Sequence, residues 1–183
     1  MTATPTRPPA STRTKRDGRA ATRPAKPRKP RAPTVIGCTE RVALPGLGID
    51  VVDAKIDTGA NTTAIHATTI RVEEEDGRRF VSFHVPVRGA PPVHCRAKLR
   101  GTKLVKNTGG KPERRYYVRT RLHVGNRSWP IDVTLANRRN MRFAIIIGRA
   151  AILHRRILVD PDGAYLQGEP VLPDDATPKG TTQ

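Results

Sequence analysis

The sequence has little of three things that would narrow its function quickly: cysteine, aromatic residues and long apolar runs. Cys38 and Cys95 are the only cysteines among 183 residues, too few for a disulfide framework, so we expect packing residues in a reducing cytoplasm. Aromatic residues make up 4%, which leaves few platforms for stacking nucleic-acid bases. No stretch approaches a membrane span, and the start lacks the apolar run of a secretory signal. A membrane protein and a disulfide-stapled secreted protein are both disfavoured.

The two ends of the chain differ from its middle in composition. The first 34 residues contain no Val, Ile, Leu, Phe, Tyr or Trp, and they carry seven prolines and ten basic residues against one acid, hence +9. With nothing apolar to bury, residues 1–34 are predicted to be a disordered basic tail. Such a tail either contacts RNA or the ribosome through phosphate charge or only keeps the protein soluble. Residues 173–183 are polar and also predicted to be disordered, which leaves one domain over 35–172.

The middle of the chain is predicted to be mostly β. Short apolar or alternating segments, separated by turn residues, predict about ten strands, with Trp129 and Ile131 as core candidates. One helix is predicted over Ala150–Arg156, where apolar residues precede a basic last turn. Two short strands, Thr34–Cys38 and Glu40–Leu44, are predicted before a turn at Pro45–Gly48 and the strand Ile49–Ile56. Four hairpins are predicted after them: Ile70–Glu74 with Arg79–Val87, Arg96–Lys106 with Glu113–Val124, Leu122–Val124 with Ser128–Leu135, and Ile157–Asp160 with Tyr165–Leu166 around Pro161-Asp162-Gly163.

The chain is organised around Val51–Ala67, which reads VVDAKIDTGANTTAIHA. A short apolar strand ends in Asp57, and Thr58, Gly59 and Ala60 interrupt it before the apolar pattern resumes. Gly59 permits a tight turn and brings backbone amides close to the carboxylate, while Thr58 offers a hydroxyl that can hold a neighbouring loop. This arrangement is typical of a carboxylate held rigidly at a cleft. Taken alone, the motif also fits an ordinary Asx-type turn between two strands.

Two later segments extend this pattern. Phe143–Arg149 is a continuous apolar strand, of the kind buried on both faces, that ends at Gly148 and Arg149. The tip of the long hairpin before it is rich in glycine and is suited to closing over a cleft. That tip comprises Asn107, Thr108, Gly109, Gly110 and Lys111.

The order of these segments resembles the retropepsins: an apolar strand into Asp57-Thr58-Gly59-Ala60, a Gly-tipped hairpin, and an apolar strand into Gly148-Arg149. Residues 35 to about 168 resemble more closely a bacterial branch of that fold. Its members are labelled ATP-dependent zinc proteases and occur beside ATP-grasp glutamate ligases that modify ribosomal protein tails. The closer resemblance rests on AKIDTGANTTAIHA, RYYV, LANRRNMRF and IIGRAAILHRRILVD. It implies a retropepsin-like closed or sandwiched β-barrel with one short C-terminal helix and a flap hairpin.

The resemblance also assigns roles to residues. It implies that Asp57 is the catalytic carboxylate in an active-site loop with Thr58, Gly59 and Ala60. Thr58 would brace two such loops across a twofold axis, and Gly59 would let a substrate backbone approach. The glycine-rich hairpin tip would be the flap.

An aspartic protease needs two carboxylates that share a proton, and this chain has one Asp-Thr-Gly. A homodimer is therefore predicted, in which Asp57 meets its symmetry mate. Gly148 and Arg149 would pack beneath the Asp57 loop as supporting residues. The strand that seals the dimer is not identified by any motif.

The family label and the residues disagree about cofactors. The five histidines, His66, His84, His94, His123 and His154, show no HExxH spacing, and His94 and Cys95 would point to opposite faces of a strand. The hairpin tip lacks the upstream glycine of a phosphate loop. We therefore expect no zinc, no ATP and no other cofactor. His66, nearest to Asp57 in sequence, is the one histidine retained as a site candidate.

The resemblance implies an aspartic-type peptidase that cleaves peptides or glutamate-tailed substrates, and we expect it to be cytoplasmic. Beyond residue 34, 24 basic residues against 15 acidic ones give +9, a charge that attracts acidic chains. The alternative is a non-catalytic basic β module that binds RNA or the ribosome, in which Asp57 merely closes a turn. A metal and nucleotide enzyme is disfavoured by the missing ligands. The basic residues expected to contribute are Arg114, Arg115, Arg119, Arg138, Arg139 and Arg142.

Overall fold

The computed structural model describes Met1 and residues 32–87, 89–106 and 110–172. Residues 2–31 of the predicted tail over 1–34 lie outside these residues, as do the predicted tail over 173–183 and Asn107, Thr108 and Gly109 of the hairpin tip. The chain divides into two units, and the fold below concerns Ala32–Gln183 alone.

Within the described residues the chain forms ten strands and very little helix. A 3-10 helix spans Pro45–Leu47, and one short α-helix, α1, spans Arg149–Ile152. The strands are β1 (Thr34–Leu44), β2 (Ile49–Asp57), β3 (Thr63–His66), β4 (Thr68–Glu75), β5 (Arg78–Val87), β6 (Ala90–Lys106), β7 (Pro112–Val124), β8 (Arg127–Ala136), β9 (Ile145–Gly148) and β10 (Ile157–Ala164). The prediction of a mostly β domain with one short helix is confirmed.

All ten strands belong to one sheet that curls back on itself. Its order is β10-β1-β2-β9-β3-β8-β7-β6-β5-β4. An additional antiparallel pairing joins β1 to β7, with Val42 opposite Val124 and Ala43 opposite His123. This short pairing brings together the two ends of the run from β1 to β7, which therefore forms a partial ring. The β4–β5–β6 hairpins extend from β7, and β10 extends from β1.

One hydrophobic core is shared by nearly every strand. Trp129 and Ile131, the two core candidates, are buried on β8, so this prediction is confirmed. The Trp129 indole Nε1 donates to the Ala151 carbonyl oxygen over 2.7 Å, which satisfies the one polar atom of that side chain and ties α1 to β8. The largest fully buried side chains include Leu44, Ile65, Phe83, Leu122 and Ile145.

The last predicted hairpin, Ile157–Asp160 with Tyr165–Leu166, is wrong. The structure has one continuous strand, β10, which pairs in parallel with β1 through Thr34 and Ile157 onward. Parallel pairing between the two ends of the domain leaves no local signal, because its partner lies more than a hundred residues away. The two strands approach so closely that a Cβ at Gly37 would lie 2.4 Å from the Gly163 carbonyl oxygen.

Two further boundaries differ from the prediction. The two short strands expected at the start are one strand, β1, whose register shifts between Gly37 and Thr39. The helix expected to reach Arg156 ends at Ile152, because His154 and Arg156 adopt positive φ angles of 60° and 53° that no α-helix accommodates.

Glu40 is a buried acid that sequence reasoning missed. Its side chain is fully enclosed, and its carboxylate accepts backbone N–H bonds from Gly37 at 2.6 Å, Leu166 at 3.1 Å and Gln167 at 3.2 Å. These bonds fasten the segment after β10 to β1. A carboxylate can be buried without a cation when several amides donate to it.

We expect Glu40→Gln to lower the free energy of unfolding by about 1–3 kcal/mol, because one buried oxygen becomes an amide nitrogen that faces N–H donors. Denaturant unfolding of both proteins measures the change. The control is Tyr165→Phe, which removes only the exposed bond from the Tyr165 hydroxyl to Asp53 at 3.1 Å and should cost less than about 0.5 kcal/mol. Equal stability of the two variants would contradict this account of Glu40.

Candidate active site

Asp57 is the last residue of β2 and stands at the start of a tight loop. Its Oδ1 accepts N–H bonds from Gly59 and Ala60, each at 3.1 Å. Within the described residues no hydrogen bond engages Oδ2, so that oxygen is available to a ligand. Amides only two and three residues after Asp57 can reach its carboxylate because the chain turns back at this point, which directs both N–H groups toward it.

The junction of β9 and α1 lies directly against the Asp57 loop. β2 and β9 run parallel with Asp57 opposite Gly148, and a Cβ at Gly148 would lie 2.5 Å from the Thr62 carbonyl carbon. The Arg149 N–H donates to the Ala60 carbonyl oxygen at 2.9 Å, and its Nη1 donates to the Gly59 carbonyl oxygen at 3.0 Å. The structure therefore places Gly148 and Arg149 against the loop through backbone-directed contacts.

A cleft of about 1420 Å³ opens beside Asp57. Gly59 and Ala60 line it with Asp57, whereas Thr58 is exposed and is not part of its lining. The arms of the β6–β7 hairpin also line it, through Leu104, Val105, Lys106, Glu113 and Arg115. Of the predicted flap residues, Gly110 and Lys111 are described, and both are exposed at the hairpin tip.

The 137–143 loop between β8 and β9 also lines the cleft, through Asn137, Arg138, Met141, Arg142 and Phe143. The Arg138 N–H donates to His66 Nδ1 at 3.1 Å, and the Met141 N–H donates to the Arg138 carbonyl oxygen at 2.8 Å. His66 does not line the cleft; it holds this loop in place instead. Because Nδ1 accepts a bond, His66 carries its proton on Nε2 when neutral.

A family model described as the retropepsin-like aspartic endopeptidase RimB matches residues 35–170. The chain belongs to the RimB-like family. The resemblance that the sequence motifs indicated is thus confirmed, and the Asp57 loop, the β6–β7 hairpin and the β9–α1 junction all fall inside the matched region.

Curated relatives of this RimB-like chain are named probable alpha-L-glutamate ligases. Those from Parasynechococcus marenigrum, Desulfotalea psychrophila and Shewanella pealeana are 38%, 37% and 33% identical over 138, 133 and 138 residues. The matched segments cover 74%, 71% and 74% of this chain. They span 29%, 28% and 30% of the relatives. The chain therefore spans less than a third of each relative, and the ligase name describes those longer proteins.

A solved structure supports the fold. A Legionella pneumophila protein described as having an unknown function superposes with a TM-score of 0.64 at 26% sequence identity. The match covers 73% of this chain and 98% of that protein. Nearly the whole Legionella chain therefore corresponds to the matched part of this chain.

Three of the six arginines that were expected to attract acidic chains line the cleft, and three do not. Arg115, Arg138 and Arg142 line the cleft, whereas Arg114, Arg119 and Arg139 do not. Lys55 also lines it and was missed; the period-2 alternation of β2 could have found it, because Lys55 lies two residues before Asp57 on the same face. Lys106 completes the cationic lining.

Two partly buried arginines of the cleft, Arg115 and Arg138, differ in their charge pairing. Arg115 pairs with Glu113, whose Oε2 lies 2.6 Å from an Arg115 guanidinium nitrogen. Arg138 forms no such pair with any described residue. Burial lowers the pKa of Arg138, the charge of Arg115 lowers it further, and the nearby Asp57 carboxylate opposes both effects.

Neither histidines nor cysteines assemble a metal site in the part of the chain that the structure describes, where no group of three or more His, Cys, Asp and Glu converges. His94 is exposed while Cys95 is buried, as alternation on a strand predicts. The Cys95 thiol donates to the Leu47 carbonyl oxygen at 3.1 Å, and burial raises its pKa to about 11.

Among the described helices, none has the length and apolar character to cross a bilayer.

Proposed function

We propose that this RimB-like chain is an aspartic-type endopeptidase that acts as a homodimer, with Asp57 of each copy forming the catalytic pair. The observation that carries the proposal is the placement of Asp57: its carboxylate lies on a cleft wall, one oxygen fixed by two amides and the other open. The family description, a retropepsin-like aspartic endopeptidase, supports the same chemistry.

The need for a second copy follows from the charges in the cleft. Its described lining contains two carboxylates, Asp57 and Glu113, and Glu113 is already paired with Arg115. Asp162 cannot supply the partner, because it is exposed on β10 and does not line the cleft. A peptidase that needs two carboxylates must therefore obtain the other from a symmetry-related Asp57. Thr58, exposed beside Asp57, would then face its mate across the axis.

In the dimer the two carboxylates share one proton, because like charges at short range do not both ionise. The ionised Asp57 takes a proton from water as the water oxygen attacks the peptide carbonyl carbon. The protonated Asp57 donates a hydrogen bond to the carbonyl oxygen, where negative charge develops. Collapse of the tetrahedral intermediate breaks the C–N bond, and a carboxyl proton passes to the departing amine.

The substrate we propose is an extended acidic peptide or a glutamate-bearing tail. The β6–β7 hairpin would cover such a peptide as a flap, which excludes water from the site. Lys55, Lys106 and three arginines of the cleft favour negatively charged chains. Related segments occur within longer proteins named probable alpha-L-glutamate ligases, which supports glutamate-rich polypeptides as the substrate and a cytoplasmic setting.

Peptide cleavage by the purified full chain tests this proposal. Peptides with glutamate, glutamine or lysine tails would be incubated with chelator and without ATP, and products identified by mass spectrometry. We expect cleavage of the glutamate-tailed peptide at a defined bond. Cleavage that requires added metal or ATP, or an absence of cleavage from all three peptides by a dimeric protein, would reject the proposal.

A second candidate function is supported by a basic surface on the sheet. Lys98 and Arg100 of β6 and Arg121 of β7 are exposed, and no ion pair neutralises them within the described residues. Exposed basic side chains of this kind suit phosphate contacts in RNA. This candidate predicts RNA binding that weakens steeply with salt and that survives Asp57→Asn, with no peptide cleavage.

A further inference from the structure

We propose that Arg138 is a specificity-determining residue of the cleft, which binds a carboxylate of the substrate beside Asp57. The inference rests on the proposed peptidase function and assigns one of its binding contacts. It concerns a residue on the 137–143 loop, outside the Asp57 loop and outside the hairpin.

Three hydrogen bonds hold Arg138 in the 137–143 loop. Its N–H is held by His66 Nδ1 at 3.1 Å, and its carbonyl oxygen is held by the Met141 N–H at 2.8 Å. Its side-chain Nε donates to the Phe143 carbonyl oxygen at 3.4 Å. The first two bonds hold the backbone and the third restrains the side chain at Nε, so less conformational entropy is lost when a ligand binds than from a free arginine.

The guanidinium of Arg138 nevertheless has unused donors. Within the described residues, no hydrogen bond engages its two terminal nitrogens and no carboxylate lies within ion-pair distance. The side chain is half-buried, and both burial and the neighbouring Arg115 lower its pKa. An arginine stays protonated even so, and a partly desolvated cation without a partner carries an energetic penalty. A carboxylate that arrives with the substrate would relieve that penalty.

The other cationic groups of the cleft are less suited to this task. Arg115 is already paired with Glu113. Lys55, Lys106 and Arg142 are exposed, so solvent and salt screen their attraction for an anion. Arg138 is half-buried and forms no ion pair with a described residue, and its planar guanidinium can contact a carboxylate at two points.

Binding measured in an Asp57→Asn background tests the inference without cleavage. Two labelled peptides that differ only in carrying a glutamate or a glutamine tail would be titrated by fluorescence anisotropy. We expect the Asp57→Asn protein to prefer the glutamate peptide by about 10- to 100-fold, the range of a charge-assisted contact in a partly dry site. Adding Arg138→Gln should reduce that preference to about one.

Arg139→Gln is the matched control, because Arg139 is the next residue of the same loop, is exposed, and does not line the cleft. It removes the same charge and should leave the preference unchanged. If Arg138→Gln and Arg139→Gln lower the preference for the glutamate peptide equally, the effect is one of general charge. If Arg138→Gln lowers the affinity for both peptides equally, the effect is one of loop positioning. Either result overturns the inference.

If Arg138→Gln fails to fold, Arg138→Lys keeps the charge but loses the two-point geometry, and we expect the preference to fall by about 3- to 10-fold; an unchanged preference would overturn the inference. The two measurements, binding preference and cleavage, distinguish failure of the peptidase proposal from failure of the Arg138 inference. An Arg138-dependent preference without cleavage by the wild type would reject the peptidase alone, and cleavage without any preference would reject Arg138 alone.

Discussion

The substitution Asp57→Asn is expected to reduce kcat/KM for peptide cleavage by about 1000-fold or more. An amide neither takes a proton from water nor gives one to the carbonyl oxygen, and in a homodimer the substitution removes both carboxylates at once. The oxygen of the new side-chain amide can still accept the Gly59 and Ala60 N–H bonds, so the fold should survive. Initial rates by mass spectrometry, with circular dichroism of both proteins, measure the two effects.

Asp53→Asn is the control for this substitution. Asp53 lies on the same strand but is exposed, and its carboxylate accepts the Tyr165 hydroxyl rather than lining the cleft. It makes the same change of charge and should leave activity within about twofold. Adding inactive Asp57→Asn chains to wild type should also lower activity by forming mixed dimers. Full activity in the Asp57→Asn protein would remove Asp57 from the mechanism.

Gly148→Ala is expected to lower the free energy of unfolding by about 3 kcal/mol, because its new Cβ meets backbone that cannot move aside. The Cβ would lie 2.5 Å from the Thr62 carbonyl carbon and 2.6 Å from its oxygen. Relief requires β9 to separate from the loop that carries Asp57, so cleavage should fall together with stability. Unfolding midpoints in denaturant and cleavage rates measure the two losses.

Gly59→Ala provides the comparison for stability. A Cβ at Gly59 would meet only the Asp57 Oδ1 at 3.4 Å, and the residue does not have a positive φ. We expect a stability change below about 1 kcal/mol. If Gly148→Ala is no less stable than Gly59→Ala, the close packing of β9 against the Asp57 loop is not what holds this site together.

Several parts of this fold could be predicted from sequence because their causes are local. The β4–β5 hairpin turns at Asp76 and Gly77, which both adopt the positive φ angles that such turns require. Trp129 and Ile131 alternate on one face of β8, and that alternation decides burial. The Asp57 turn was also predictable, because its carboxylate bonds to amides two and three residues ahead.

Other parts could not be predicted because their partners are distant in sequence. Glu40 has the pattern of an ordinary polar strand residue, and only the return of the chain at Leu166 supplies amides that make its burial tolerable. The β10 segment contains Pro161-Asp162-Gly163, a typical turn signal, yet the chain does not fold back as a hairpin there; after a register shift it resumes parallel pairing with β1 at Ala164, opposite Thr39. In both cases tertiary contacts outweigh a local preference of about 1 kcal/mol.

Strand periodicity and turn chemistry act over a few residues, so the amino-acid pattern alone predicts a mostly β chain with one Asp-Thr-Gly turn, a long hairpin and an apolar strand that ends in glycine. The tertiary structure adds that these segments meet around one cleft. It also decided that Arg138 lines this cleft while Arg139 does not. The physical reason is that burial and charge pairing depend on which distant strands lie side by side, and adjacent residues with the same side chain can occupy entirely different surroundings.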